Sequence, residues 1–381
     1  MTGAAVRHVG GQGSREATVS RPSGPPTRAS GESGTPGPPL PARHGQAVVA
    51  SAPLRISLAG GGTDLPSYAD RFGGSVVGTA MDRRVCVIRY PGLFGGGVRA
   101  AFEELDQVGH VSEVRNPYAR ACLVRAGSPR DLQMGCYSDA PAGSGLGGSG
   151  AFTVALTAAL RYPEALVRAD IAEQASAVEM VDLRRPVGKQ DHYLAAFGGA
   201  CLLHIGRDRS VEVERLRPHP AVARYIDERL MLFRLGAGRD AGHALAAQAR
   251  GARNADPVVL RSLHGIKDLV APAVEALRYG RVDEIGPILD AHWALKTKLS
   301  SGTADDSVKN LYALARDSGA DGGKVLGAGG GGFLLLSSAR GRQQDVRAAM
   351  ASRGLPELPF STDGGGVYVG PVVTTPGAPE T

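Results

Sequence analysis

The four cysteines of this 381-residue chain, Cys86, Cys122, Cys136 and Cys201, lie too far apart to form a CxxC pair or a His-containing zinc spacing. Dithiol and zinc chemistry are therefore excluded, and the thiols are expected to be reduced and mostly buried. No apolar run approaches the roughly 18 residues that a membrane-spanning helix needs, and the N-terminus lacks the hydrophobic region of a signal peptide. The expected location is the cytoplasm, with no membrane partner. The formal charge is +6, but the arginines are scattered among acids and no Lys/Arg block is interleaved with aromatics. Nucleic acid is not an expected partner, because strong phosphate-backbone affinity needs a concentrated basic face. A small anionic substrate fits better. The Walker A pattern GxxxxGK[ST] is missing, which removes the P-loop kinases, and there is no internal repeat.

What is present suits a globular enzyme: 43% of residues are hydrophobic and 21% charged. The length exceeds what one core usually serves, so two domains are expected. Residues 1–46 are rich in Gly, Pro, Ser, Thr and Arg and cannot bury enough surface to offset ordering entropy, which predicts a disordered tail. Ordered structure is expected over 47–221 and 222–372, with a flexible end at 373–381. Apolar alternation predicts strands from Val48, over Ser75 to Tyr90, and at Leu132, Met134 and Cys136. Phe152, Leu156, Ala159 and Leu160 recur at helical spacing, and 164–183 also reads as helix. Strand follows over 198–205. A second region begins with a strand at Leu230 to Leu235, continues in Ala- and Leu-rich helices between about 240 and 316, and ends in a strand near Gly366 to Val369.

Three glycine segments carry the chemistry. In PAGSGLGGSGAF, Pro141 to Phe152, a glycine run between a strand and a helix exposes unpaired N–H groups at a helix N-terminus. The helix dipole reinforces that pull on an anion, so phosphate binding is predicted. Gly143, Gly145 and Gly148 also satisfy GxGxxG, but a dinucleotide fold would need a second strand ending in an acid roughly 20 positions on, where 164–183 reads as helix. In APLRISLAGGGTDLP, a strand carries Arg55 and a glycine turn delivers Asp64. That turn offers amides and a carboxylate to a polyhydroxylated ligand, or Asp64 caps a helix over Leu65 to Ala69. In GGKVLGAGGGGFLLL, Gly322 to Leu336, glycines in a strand-like segment imply that something approaches the backbone closely.

These segments, in this order and with PAGSGLGGSGA at the centre, resemble the GHMP kinases of galactose, homoserine and mevalonate. The phrases PLRISLAGGGTDLP, VGKQDHYLAAFGGA, HWALKTKLSS and GGKVLGAGGGGF are most similar to the bacterial D-glycero-D-manno-heptose 7-phosphate 1-kinases, and the similarity runs from about residue 47 to 370. The resemblance implies an α+β, two-domain GHMP kinase fold: an N-terminal ribosomal-protein-S5-like domain that binds ATP and a smaller C-terminal ferredoxin-like domain. It implies ATP and Mg2+ as cofactors, a phosphorylated sugar as substrate, and transfer of the γ-phosphoryl group to the anomeric hydroxyl of a heptose 7-phosphate. A homodimer is allowed.

Carried over residue by residue, the resemblance makes Asp191 the base and Arg55 the guanidinium beside the transferred group. Pro141, Gly143, Ser144, Gly145, Leu146, Gly147, Gly148 and Ser149 would hold nucleotide, and Ser149 and Glu179 would ligate the metal. Gly61, Gly62, Thr63 and Asp64, with Gly329, Gly330 and Gly331, would hold the sugar. Gly148 departs from the serine usual in the family and is expected to weaken nucleotide binding. His192 is expected to pack or to support. Candidates for a distal phosphate are Arg83, Arg84, Arg184, Arg185, Lys189, Lys296 and Lys298. A 1-kinase for a free sugar such as fucose, and a non-catalytic sugar or nucleotide sensor, are the alternatives; retention of Arg55, Asp64, Ser149, Glu179 and Asp191 argues against the sensor.

Overall fold

The computed structural model describes residues 46–92, 96–236, 241–299, 306–327 and 331–372. The expected tail over 1–46, apart from residue 46, and the expected flexible end over 373–381 lie outside the described residues.

The apolar alternation from Val48 forms β1 (Val48–Ala59), and α1 (Pro66–Phe72) follows with proline in its first turn, where its fixed φ suits a helix start. β2 (Gly74–Pro91) is the long central strand. Next come β3 (Val98–Ala101), β4 (Leu105–Val108), α2 (Pro117–Arg125) and β5 (Leu132–Ser138). The glycine loop then leads into α3 (Gly148–Arg161). α4 (Arg168–Ala177) runs into one π-helical turn at Val178–Asp182 and is followed by α5 (Gln190–Phe197), β6 (Ala200–Ile205) and β7 (Val211–Arg215).

β2 organises the first sheet. One edge pairs antiparallel with β1, while on the other its first part, Gly74 to Thr79, pairs with β6 and its last part, Val85 to Pro91, with β5. The register against β1 shifts between Pro53 and Arg55 and again between Ser57 and Ala59. Such irregularities bend a strand and re-aim side chains. Ten of the fourteen residues of α3 are buried, so this helix must lie inside rather than on the surface. It packs on β1 and β2, with α2, α4 and α5 beside it.

The chain continues through α6 (Pro220–Arg229), β8 (Leu230–Arg234), α7 (Ala241–Arg253), α8 (Pro257–Asp268), α9 (Val270–Tyr279), α10 (Ile285–Lys296) and α11 (Asp306–Asp317). β9 (Ala320–Val325), β10 (Phe333–Ser338), α12 (Gln343–Ala351) and β11 (Tyr368–Pro371) close it. The second sheet is antiparallel in the order β8-β10-β9, and Glu357 bridges Phe233 at the outer edge of β8. With that bridge as a vestigial fourth strand, the order is that of a ferredoxin-like unit, as expected. Leu334 and Leu336 of β10 pack with Trp293 in one cluster, whereas Phe333 and Leu335 join the main core that includes β1. Both faces are covered, which is why β10 reads as an unbroken apolar run.

Three features differ from the sequence reading. Gly322 to Leu336 is not one interrupted strand but the pair β9 and β10 with glycines between them. The final strand, β11, is bonded to β1 in the first sheet, with Val48 opposite Pro371. The expected boundary at 222 falls within α6, whose Val222, Tyr225 and Ile226 belong to the same cluster as Leu54 and Ile56 of β1.

Candidate active site

A cavity of about 790 Å³ lies where the glycine loop, the turn after β1, the start of α5 and the connection after β9 meet. Pro141, Gly143, Ser144, Gly145, Gly147, Gly148 and Ser149 line it, with Arg55, Gly61, Gly62, Asp64, Glu179, Asp191 and Gly331. Most residues singled out from sequence are thus brought together. Leu146 is not among them: it is fully buried, and its carbonyl accepts from Arg55 N–H at 3.0 Å. Nor is Thr63, whose hydroxyl is occupied by the carbonyls of Gly60 and Ser75, so it braces the turn rather than facing a ligand. Gly329 and Gly330 lie outside the described residues.

The glycine loop is shaped by left-handed backbone. Gly147, with φ 76°, precedes the first residue of α3 and frees the amides of that helix end. Gly145 also has positive φ, and a Cβ there would come within 2.6 Å of the Leu326 carbonyl oxygen. On the other side, a Cβ on Gly327 would come within 2.6 Å of the Gly145 Cα, and one on Gly332 within 2.4 Å of the Ser144 oxygen. The glycines after β9 therefore let two loops touch backbone to backbone.

Arg55 is buried beside Asp191. Its Nε and Nη2 donate to Asp191 Oδ1 at 2.8 and 2.7 Å, and its Nη1 donates to the Gly145 carbonyl at 2.6 Å. Asp191 sits in the first turn of α5 and remains partly open to the cavity, with 27% of its side chain exposed. Gly150 of α3 makes room for it, since a Cβ there would fall 2.7 Å from the Asp191 Cβ.

Asp64 does not cap α1, whose N-terminus has no side-chain cap. Its Oδ2 instead accepts from the backbone N–H of Gln190, the first residue of α5, at 3.1 Å, and its Oδ1 from Gly62 N–H at 3.2 Å. Asp64 thus fixes the helix end that presents Asp191. Burial pushes its carboxyl above the ordinary range, opposed by the Gln190 amide and reinforced by the charge of Asp191.

Glu179 occupies the π-helical turn and is 2% exposed, so it is no solvated helix residue. Its Oε2 accepts from the Ser149 hydroxyl at 3.3 Å and its Oε1 meets His192 Nε2 at 3.1 Å, which gives His192 the supporting place expected of it. Among the described residues, no lysine or arginine pairs with Glu179. A buried carboxylate with a hydroxyl beside it and no cationic partner is a donor set suited to a hard divalent ion completed by phosphate and water oxygens.

Comparison with known proteins agrees with this geometry. The model of the GHMP kinases N terminal domain matches residues 114–199, and that of the GHMP kinases C terminal domain matches 273–355. The D-glycero-alpha-D-manno-heptose 7-phosphate kinase of Campylobacter jejuni is 30% identical over 299 residues, covering 74% of this chain and 87% of that protein. The chain is a GHMP kinase. Its relatives include the mevalonate kinase of Methanothermobacter thermautotrophicus, 27% identical over 302 residues, which covers 75% of this chain and 88% of the relative. The bifunctional L-fucokinase/L-fucose-1-P guanylyltransferase of Bacteroides fragilis is 26% identical over 356 residues, covering 83% of this chain but 36% of that protein. Among solved structures, a D-glycero-D-manno-heptose 1-phosphate kinase from Bacteroides thetaiotaomicron superposes with a TM-score of 0.71 at 24% identity, over 86% of this chain and all of that one. The fold is that of the family, and this GHMP kinase is a phosphotransferase acting on an alcohol group. No described helix is long and apolar enough to cross a membrane.

Of the basic residues singled out for a distal phosphate, only Arg185 and Lys296 line the cavity of this kinase. Arg185 lies over the Tyr118 ring at 5.2 Å. Arg84 and Lys189 are held by Asp363 and Glu173. Sequence reasoning missed Lys324 and His292, which also line the cavity. The available signal was a lysine inside a glycine-flanked apolar strand, a place where a charge is expensive unless something needs it.

Proposed function

We propose that this kinase transfers the γ-phosphoryl group of ATP to the anomeric hydroxyl of a heptose 7-phosphate. The observation that carries the reaction is Asp191, held by Arg55 beside the glycine loop and open to the cavity. The sugar is inferred from the Campylobacter jejuni relative, which covers most of both chains.

Phosphoryl transfer asks the protein chiefly for alignment and charge compensation. In this reading the amides of Gly143 to Gly148 and the N-terminus of α3 hold the nucleotide phosphates. Ser149 and Glu179 are the residues that would hold Mg2+, which would supply neutralisation of phosphate charge when bound. Gly61, Gly62 and Asp64 of the turn after β1 meet sugar hydroxyls, while Thr63 braces that turn. Asp191 accepts the proton of the attacking hydroxyl, and Arg55 both orients that carboxylate and offers positive charge to the group in transit. An anomeric hydroxyl is more acidic than an ordinary alcohol, so the base need not be strong.

The fucokinase relatives favour a second reading, phosphorylation of a free sugar at the same carbon. Both are tested by ADP release with ATP and Mg2+ across heptose 7-phosphates, the free heptose, fucose, galactose and mannose. Turnover confined to a heptose 7-phosphate supports the proposal; turnover with free sugars alone replaces it with the second reading.

A further inference from the structure

The second sheet places an unusual group of side chains in the cavity wall. On β9, Val325 points into the outer apolar cluster, so by strand alternation its neighbour Lys324 points inward. On α10, Trp293 packs outward while His292 and Lys296, one helical turn apart, share the cavity face. Lys324 is 2% exposed, His292 1% and Lys296 9%.

Among the described residues none of the three meets a carboxylate. Lys324 donates to the Leu58 carbonyl at 3.1 Å; Lys296 donates to the carbonyls of Val325, at 2.9 Å, and Gly327; neither ring nitrogen of His292 has a partner among the described residues. Buried ammonium groups held only by carbonyls are costly, as is an imidazole with two orphaned nitrogens. A dianion entering between them would satisfy all three. The nucleotide does not need this group, because its phosphates face the loop amides and the Ser149–Glu179 pair. Arg55 is tied to Asp191 and, on the reading above, serves the group in transit rather than the acceptor's own phosphate. Lys324 is tied to Leu58, at the end of the strand that delivers the turn Gly60 to Asp64, so the cluster borders the acceptor side of the cavity.

We propose that Lys296, Lys324 and His292 form a subsite for a phosphomonoester already carried by the acceptor, and so select phosphorylated over free sugars. The proposal rests on the acceptor reading above but can be separated from it. Burial and the Arg55 charge bring the Lys296 ammonium down to about 7, and burial, reinforced by the charges of Lys324 and Lys296, pushes the His292 imidazole well below its ordinary range. Lys324 is pushed down by burial and by the charges of Lys296 and Arg55, and Asp191 from α5 faces the cluster only through its ion pair with Arg55. A bound dianion recharges the lysines, so affinity for a phosphorylated acceptor falls as pH rises from 7 to 9, while affinity for a free sugar does not.

The test uses the full chain with a non-hydrolysable ATP analogue and Mg2+ filling the nucleotide site. Calorimetry with orthophosphate should show binding that Lys296→Gln and Lys324→Met each weaken roughly 10- to 100-fold, the range for losing a charge-assisted hydrogen bond. The same variants should raise KM for a heptose 7-phosphate by a similar factor and leave KM for ATP unchanged. Lys324→Met replaces a buried, poorly satisfied amine with an apolar side chain of similar length and should not lower the melting temperature, which separates lost binding from lost folding. Orthophosphate binding that survives in both variants, or none in the wild type, overturns the proposal. Loss of phosphate binding in an enzyme that turns over no heptose 7-phosphate keeps the subsite and discards the acceptor. Turnover of heptose 7-phosphate with KM untouched by the variants keeps the acceptor and discards the subsite.

Discussion

The two walls of the cavity treat buried charge differently. On the first sheet Arg55 is matched by Asp191, and Asp64 is matched by two backbone amides. On the second, among the described residues, Lys324 and Lys296 meet carbonyls and His292 meets no partner. The first wall is organised before any ligand arrives, as a group that must meet a reacting atom in one geometry requires. The second stores unsatisfied polarity, which a ligand can relieve and which therefore discriminates between ligands.

The comparison is broken most severely on the first wall. Asp191→Ala removes the proposed base and strands Arg55 in the interior, and kcat should fall by about 10²- to 10⁴-fold in an ADP-release assay, the usual range for a positioned acid or base. An unchanged kcat would move the chemistry elsewhere. Glu179→Gln should lower activity by about 10- to 100-fold and raise the Mg2+ concentration needed for half-maximal rate, as expected when a site loses charge and metal affinity. An unaltered Mg2+ dependence would remove Glu179 from the metal site.

The second wall predicts a change in stability rather than rate. Lys296 titrates near 7 when folded and near its ordinary 10.5 when unfolded, so between these values the unfolded chain binds more protons. Stability of the ligand-free protein should therefore rise from pH 7 to 8.5, below the range where the buried cysteines, whose thiols are pushed up by burial, act in the opposite sense. Denaturation midpoints should show the rise, and Lys296→Met should reduce it, leaving the share of Lys324, which burial also pushes down. A wild-type protein whose midpoint does not rise over this window would mean that the lysine is charged and paired.

The smallest effects lie within the glycine loop itself. Gly147→Ala forces a side chain into left-handed backbone and brings its Cβ to 3.0 Å from the Arg55 Cγ, so about 1–2 kcal/mol of stability should be lost. Gly148 has ordinary φ, and a Cβ there meets nothing within 4 Å. Gly148→Ser should fold normally and lower KM for ATP by less than about tenfold, the worth of one hydrogen bond. A larger gain would show that the absent hydroxyl limits nucleotide binding.

Much of the first wall was legible because its signals are local. A strand, a glycine run and an apolar helix in sequence can build little other than an anion-binding helix N-terminus, and Pro141 to Leu160 folds that way. Alternation located β1, β2 and β5, since side-chain direction in a strand depends only on the neighbouring positions. The π turn at Glu179 and the burial of that carboxylate were not legible, because both depend on α2, α3 and α5 closing around it.

The sequence by itself placed a glycine loop between a strand and an apolar helix, and its resemblance to the GHMP kinases pointed to Arg55, Ser149, Glu179 and Asp191 for the roles proposed above. Only the tertiary structure decided that Asp64 caps a helix distant in the chain, that Thr63 braces its turn, that the glycines after β9 meet the phosphate loop, and that Lys296, Lys324 and His292 converge. The physical reason is range. Loop and strand propensities act over a few residues, whereas a charge 's partner, or the lack of one, is fixed by which surfaces the two sheets bring together.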